Sequence, residues 1–145
     1  MRFHSVALCI CALFLYLLAG CTGSTGPKPP ELAPVEGTVT MDDKPLVEAS
    51  LMFGAGSATG QTDANGHYVL MGHGGKKGCP PGNYKVVVEK WVNKDGSVYR
   101  SAEMSPMDAG ATQTIPSKYS DMEKTELKAK VPAGGGKVDF QLKSK

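Results

Sequence analysis

From Val35 onward, apolar and polar positions alternate with a period of two and almost nowhere with the 3.6-residue period of a helix. Val35, Gly37, Val39 and Met41 alternate with Glu36, Thr38 and Thr40, as in a strand with one dry and one wet face. Ala49, Leu51 and Phe53 repeat the pattern, and residues 67–71 read as a further strand. The strongest run puts Tyr84, Val86 and Val88 on one face and Lys85, Val87 and Glu89 on the other. Leu127, Ala129 and Val131, then Val138, Phe140 and Leu142, give the last two. Turn residues separate these runs: Asp42-Asp43-Lys44-Pro45, Asp63-Ala64-Asn65-Gly66, Cys79-Pro80-Pro81-Gly82 and Gly134-Gly135-Gly136. Short strands at this spacing predict an all-β, antiparallel β-sandwich of about seven strands, with no helix after the leader. Residues 91–121 break the rhythm, showing only a weak strand near Ser97 to Ser101. A stretch of that length without regular pattern is the place to look for a site.

The N-terminus obeys a different rule. Arg2 precedes an uncharged apolar run over residues 5–18, which small residues and a cysteine close. This is the layout of a secretion signal, predicted as a helix, and it is shorter than the ~20 apolar residues of a membrane span. Leu18-Ala19-Gly20-Cys21 resembles the lipobox of bacterial lipoproteins. The resemblance implies cleavage between Gly20 and Cys21 and acylation of the Cys21 thiol. Thr22, where an aspartate would hold many lipoproteins at the inner membrane, implies the outer membrane of the cell envelope. The expected organisation is a signal peptide over 1–20, a lipidated cysteine with a Pro/Gly tether over 21–34, and a sandwich domain over 35–143.

Charge and cysteine usage narrow the function. The chain has 16 basic and 14 acidic residues, so there is no basic excess to suit nucleic acid. The membrane is then reached through acyl chains, two of which suffice where one is marginal. Cys9 and Cys11 leave with the signal and Cys21 carries lipid. Only Cys79 remains, and the plain expectation for it is a small buried apolar residue.

Several segments together resemble one family. Glu36-Gly37-Thr38-Val39 with Lys44-Pro45-Leu46 and Ala49-Ser50-Leu51-Met52-Phe53 looks like an opening hairpin. The run from Thr62 to Leu70 and Pro81-Gly82-Asn83-Tyr84-Lys85-Val86 follow in the same order, and Ile115-Pro116-Ser117-Lys118-Tyr119 with Asp139-Phe140-Gln141-Leu142 resembles the closing half. These are similar to carboxypeptidase regulatory-like domains of small bacterial lipoproteins. That implies an Ig-like, prealbumin-type sandwich and a non-catalytic accessory role. Tyr84 is expected to pack its ring inside and tie its hydroxyl to nearby backbone.

No nucleophile elbow, metalloprotease helix or acid/base pair is visible, so no enzyme activity and no cofactor are expected. His67, His73 and Cys79 have the chemistry of metal ligands but no known ligand spacing. Met104, Met107 and Met122 are spaced too irregularly for a copper motif, and Asp42-Asp43 and Asp63/Asn65 lack the ligand spacing of a calcium loop. Trp91, Tyr99 and Tyr119 flank or occupy the irregular region. If exposed they would form an aromatic platform for polysaccharide or for a peptide of an envelope protein. The expectation is a structural or interaction role at the envelope, with ligand binding through these aromatics as the alternative and metal handling behind it.

Overall fold

The first strand organises the fold. In a computed structural model, which describes residues 31–100 and 103–145, β1 (Val35–Met41) buries Val35, Gly37 and Val39 and turns Glu36 outward. The signal peptide, Gly20, Cys21 and the tether up to residue 30 lie outside the described residues. On one side β1 pairs antiparallel with β2 (Lys44–Pro45) and β5 (His67–Val69). On the other it pairs parallel with β11 (Gly136–Lys137) and β12 (Phe140–Leu142). The second sheet runs β10 (Lys128–Val131), β7 (Gly82–Glu89), β3 (Ser50–Phe53), β4 (Ala58–Gln61) and β6 (Met71–Gly72), with all neighbours antiparallel. A ribbon of β8 (Trp91–Val92) and β9 (Thr112–Gln113) continues from the end of β7.

The chain is therefore all-β, as the alternation predicts, but it is cut more finely. Of the twelve strand segments among the described residues, β1, β3, β4, β5, β7, β10 and β12 have three residues or more, and the rest have two. β4 has no alternating signature because Gly60 interrupts it. The run at 67–71 is split by buried Leu70, whose N–H donates to Val35 O, so that β5 joins the first sheet and β6 the second. Sandwiches turn their corners by such switches. The second sheet is wholly antiparallel, whereas the first is mixed. Its last strand arrives from β10 in the opposite sheet, and a crossing of that kind is free of the hairpin constraint. One helical turn, Ser117–Ser120, appears where no helix was expected; Pro116 stands at its N-cap and Tyr119 packs into the core.

Rings fill the space between the sheets. Phe53 lies within 6.1–6.5 Å, centroid to centroid, of Tyr68, Tyr84 and Phe140, and Leu51, Leu70, Val39, Val86, Val88 and Leu142 complete the core. One close approach closes it. A Cβ on Gly37 would stand 1.8 Å from Val138 O, so only glycine admits the last strand here. The Tyr68 hydroxyl donates to the same oxygen at 2.6 Å. Next door the ladder between β11 and β12 is interrupted, and the Asp139 carboxylate takes the place of a backbone acceptor. Its Oδ1 receives both the N–H and the hydroxyl of Thr38 at 2.8 Å. Those bonds, with Lys137 nearby, hold the Asp139 carboxyl below the usual carboxylate range. Ordered pairing also begins before Val35, because Ala33 exchanges both backbone bonds with Cys79 at 2.9 Å.

Candidate functional site

The alternation that buries Leu51, Phe53, Val86 and Val88 turns Ser50, Met52, Val87 and Glu89 to the outer face of the second sheet. Strand register then aligns Met71, Thr59, Met52 and Val87 in one row across four strands. Three of these four are apolar, on a face that a solvated sheet would give to polar residues. Val87 is only 2% exposed, so this row is partly roofed. Tyr99 and Arg100, from the stretch after β8, stand over it and make one wall of a groove of ≈ 670 Å³. Arg100 is paired with Glu48, and the Tyr99 hydroxyl donates to Met104 O at 2.5 Å. Val69 and Met71, 36% and 37% exposed, lie at the opposite side. Ser50, Gln61 and Glu89 add a polar border.

The sequence-predicted aromatics are brought together only in part. Tyr99 N–H donates to Trp91 O at 2.9 Å, beside a Val92–Val98 bridge, so Trp91 and Tyr99 are cross-strand neighbours. On its other side Trp91 pairs with Gln113, and direct partners share a face. The Gln113 side-chain oxygen accepts Lys90 N–H at 2.9 Å and Ile115 N–H at 3.0 Å, which ties the ribbon to the end of β7. Its Nε2 is the buried side-chain polar atom without a hydrogen-bond partner among the described residues. Tyr119 does not belong with this pair. It is 8% exposed, its hydroxyl receives Lys143 N–H at 3.3 Å, and the Lys118 ammonium sits 5.1 Å from its ring centroid. Tyr119 is thus separated from Trp91 and Tyr99, because a helical turn sinks it into the core.

The metal-ligand trio is separated as well. His67 opens β5, with its ring nitrogens 3.8 Å from Glu36 Oε2 and 3.9 Å from Asp63 Oδ2. His73 lies in the exposed 3-10 turn His73–Gly75. Cys79 is fully buried, and burial pushes its thiol up. The Tyr84 hydroxyl donates to Pro80 O at 2.7 Å, as its motif predicts, and burial pushes it up to about 12. No group of three or more His, Cys, Asp and Glu side chains that could hold an ion occurs among the described residues. The acidic turns have structural partners. Asp63 Oδ1 accepts Asn65 and His67 N–H at 2.8 and 3.0 Å, ahead of Gly66 at φ 73°. Asp42 accepts Ser144 N–H at 3.2 Å, and Asp43 meets Lys143 at 2.9 Å.

Sequence reasoning missed Met52, Thr59, Met71 and Arg100. The available signal was Met52 and Val87, large apolar residues at positions the alternation assigns to the wet face. No family model, curated protein or solved structure matches the chain.

Proposed function

We propose that this chain is a non-catalytic, lipid-anchored β-sandwich of the cell envelope that holds an extended peptide segment of an envelope protein across its second sheet. The groove over Met52, Thr59, Val87 and Met71 carries this reading. Four strands at about 4.8 Å spacing make a floor of roughly 14 Å, the length of about four extended residues. A peptide laid there turns apolar side chains to Met52 and Met71, beside the buried Val87, while its backbone reaches the border at Ser50, Gln61 and Glu89. A polysaccharide suits this floor less well, since its hydroxyls would lose water over methionine and valine without gaining partners. Cys21 in its lipobox setting, with Thr22 after it, supplies the anchor and the outer-membrane address. The likeness to carboxypeptidase regulatory-like domains supports an accessory, presenting role. A metal-handling function draws no support from His67, His73 and Cys79, which lie apart.

The test is to screen the full chain, in detergent, against arrays of extended peptides and of glycans. Peptides with alternating apolar residues are expected to bind, and Met52→Lys to abolish that binding without changing the fold. Binding that survives Met52→Lys, or a chain that takes glycans and no peptide, overturns the reading.

A further inference from the structure

Strand register sorts the loops by end. β1 starts where Val35 pairs with Gly136, β3 and β4 meet at Phe53 and Ala58, and β7 begins where Gly82 pairs with Val131. The loops 54–57, 73–81 and 132–136 therefore crowd one end, and the links are direct. Gly136 N–H donates to Pro34 O at 2.9 Å, Ala33 bridges Cys79, and Ala58 pairs with Gly72. These three loops hold glycine, alanine, serine, proline, Cys79, His73, Lys76 and Lys77, and not one carboxylate. The turns at the other end mix Asp42, Asp43, Asp63 and Asp95 with Lys44, Lys94 and Lys143, and Asp43 is paired with Lys143.

The chain toward Cys21 leaves from the end that carries Lys76 and Lys77. Glu31 and Leu32 lie against the 73–77 turn across a cleft of ≈ 630 Å³ lined also by His73, Lys76, Lys77 and Pro80. Ten residue steps separate Glu31 from Cys21, and extended chain covers at most about 3.6 Å per step. An anchor at Cys21 thus keeps this end within about 36 Å of the bilayer. Neither Lys76 nor Lys77 is in an ion pair among the described residues. Glu31 and the strand residue Glu36 are the nearby acids, the latter beside His67.

We infer that this end of the sandwich is the membrane-facing surface, and that Lys76 and Lys77 dock it on anionic lipid headgroups. The inference rests on the lipid-anchor reading above. Small side chains let the loops approach the headgroup layer closely. Lysines near an anionic surface are attracted, and the attraction fades beyond a Debye length. The far end pairs Asp43 with Lys143 and Asp121 with Lys124, so its charges largely cancel and it gains no comparable attraction to the same surface. The domain then stands on the membrane with one end down, which leaves the second-sheet groove facing sideways.

The experiment uses the full lipidated chain on vesicles of phosphatidylcholine with or without phosphatidylglycerol, each containing a headgroup-quencher lipid. A fluorophore is placed by Ala133→Cys at the near end or by Lys94→Cys at the far end. Quenching is expected at 133 and not at 94, stronger with phosphatidylglycerol, and weakened at least about twofold by Lys76→Glu with Lys77→Glu or by high salt. Equal quenching at the two ends, or indifference to lipid charge and to the charge reversal, overturns the inference while leaving the anchor standing. Flotation with pure phosphatidylcholine vesicles, abolished by Cys21→Ser, reports the anchor separately. A chain that does not float fails on the anchor reading and takes this inference with it.

Discussion

The two sheets present opposite outer faces. On the first, Glu36 stands between Val69 and Lys137, and Thr38 between His67 and Asp139, a ladder of charges and hydroxyls with mutual partners. On the second, Met71, Thr59, Met52 and Val87 form a largely apolar row that Tyr99 and Arg100 cover only at one side. Both faces follow from the same alternation, so strand formation does not explain the difference. A polar face is complete in water, whereas an apolar one has free energy to release on contact. The first sheet closes the fold, and on the proposed reading the second meets a peptide.

Breaking the closure has the largest effect. Gly37→Ala drives a methyl group into Val138 O, and we expect a loss of at least about 3 kcal/mol in denaturant unfolding, or no folded protein at all. A melt near that of the native chain would mean that the last strand does not pass so close. Tyr68→Phe leaves the ring and removes the donor to the same carbonyl, which costs about 1–3 kcal/mol if that oxygen stays buried and unpaired. Burial also pushes the Tyr68 hydroxyl well up, so it stays protonated and able to donate at any ordinary pH.

Acid probes the first sheet's outer ladder. Asp139 is held below the usual carboxylate range chiefly by the Thr38 hydroxyl, and Asp63 chiefly by the Asn65 and His67 amides. A depressed native value means that the folded state favours the ionised form. That stabilisation is present above about pH 4 and is lost as pH falls through the lower native value. Stability measured across that window should fall with acid, and Asp139→Asn should flatten part of the slope. An unchanged slope would remove Asp139 from the account. The smallest stability change belongs to the second sheet: Met52→Lys, at a half-exposed position, should shift unfolding by less than about 1 kcal/mol. A large loss there would show Met52 to be core and the groove floor to be mere packing.

Much of this was legible in the sequence, for physical reasons. Strands with one dry face announce themselves by a period of two, which is why β1, β3, β5, β7, β10 and β12 could be placed. Asp63 to Gly66 read correctly as a turn because its bonds are local. The parallel seat of the last strand was not legible. It depends on Asp139 standing in for a backbone acceptor 101 positions from Thr38, and on the missing Cβ of Gly37. Nor could residues 91–121 be resolved into a ribbon and a helical turn. Their bonds run through side chains such as Gln113, Asp95 and Ser120, which leave no periodic trace. Tyr119 looked like a loop aromatic for that reason, although it belongs to the core. Trp91 and Tyr99 were singled out by location alone, and their pairing across β8 came only with the register.

The contrast between the faces can be read directly in living cells. A photocrosslinking amino acid at Gln61, on the border of the groove, should give one defined adduct with an envelope protein, and Met52→Lys should remove it. The same group at Lys137, on the outer face of the first sheet, should give none. Equal adducts at both positions, or an adduct at 137 alone, would contradict the claim that the second sheet is the binding face.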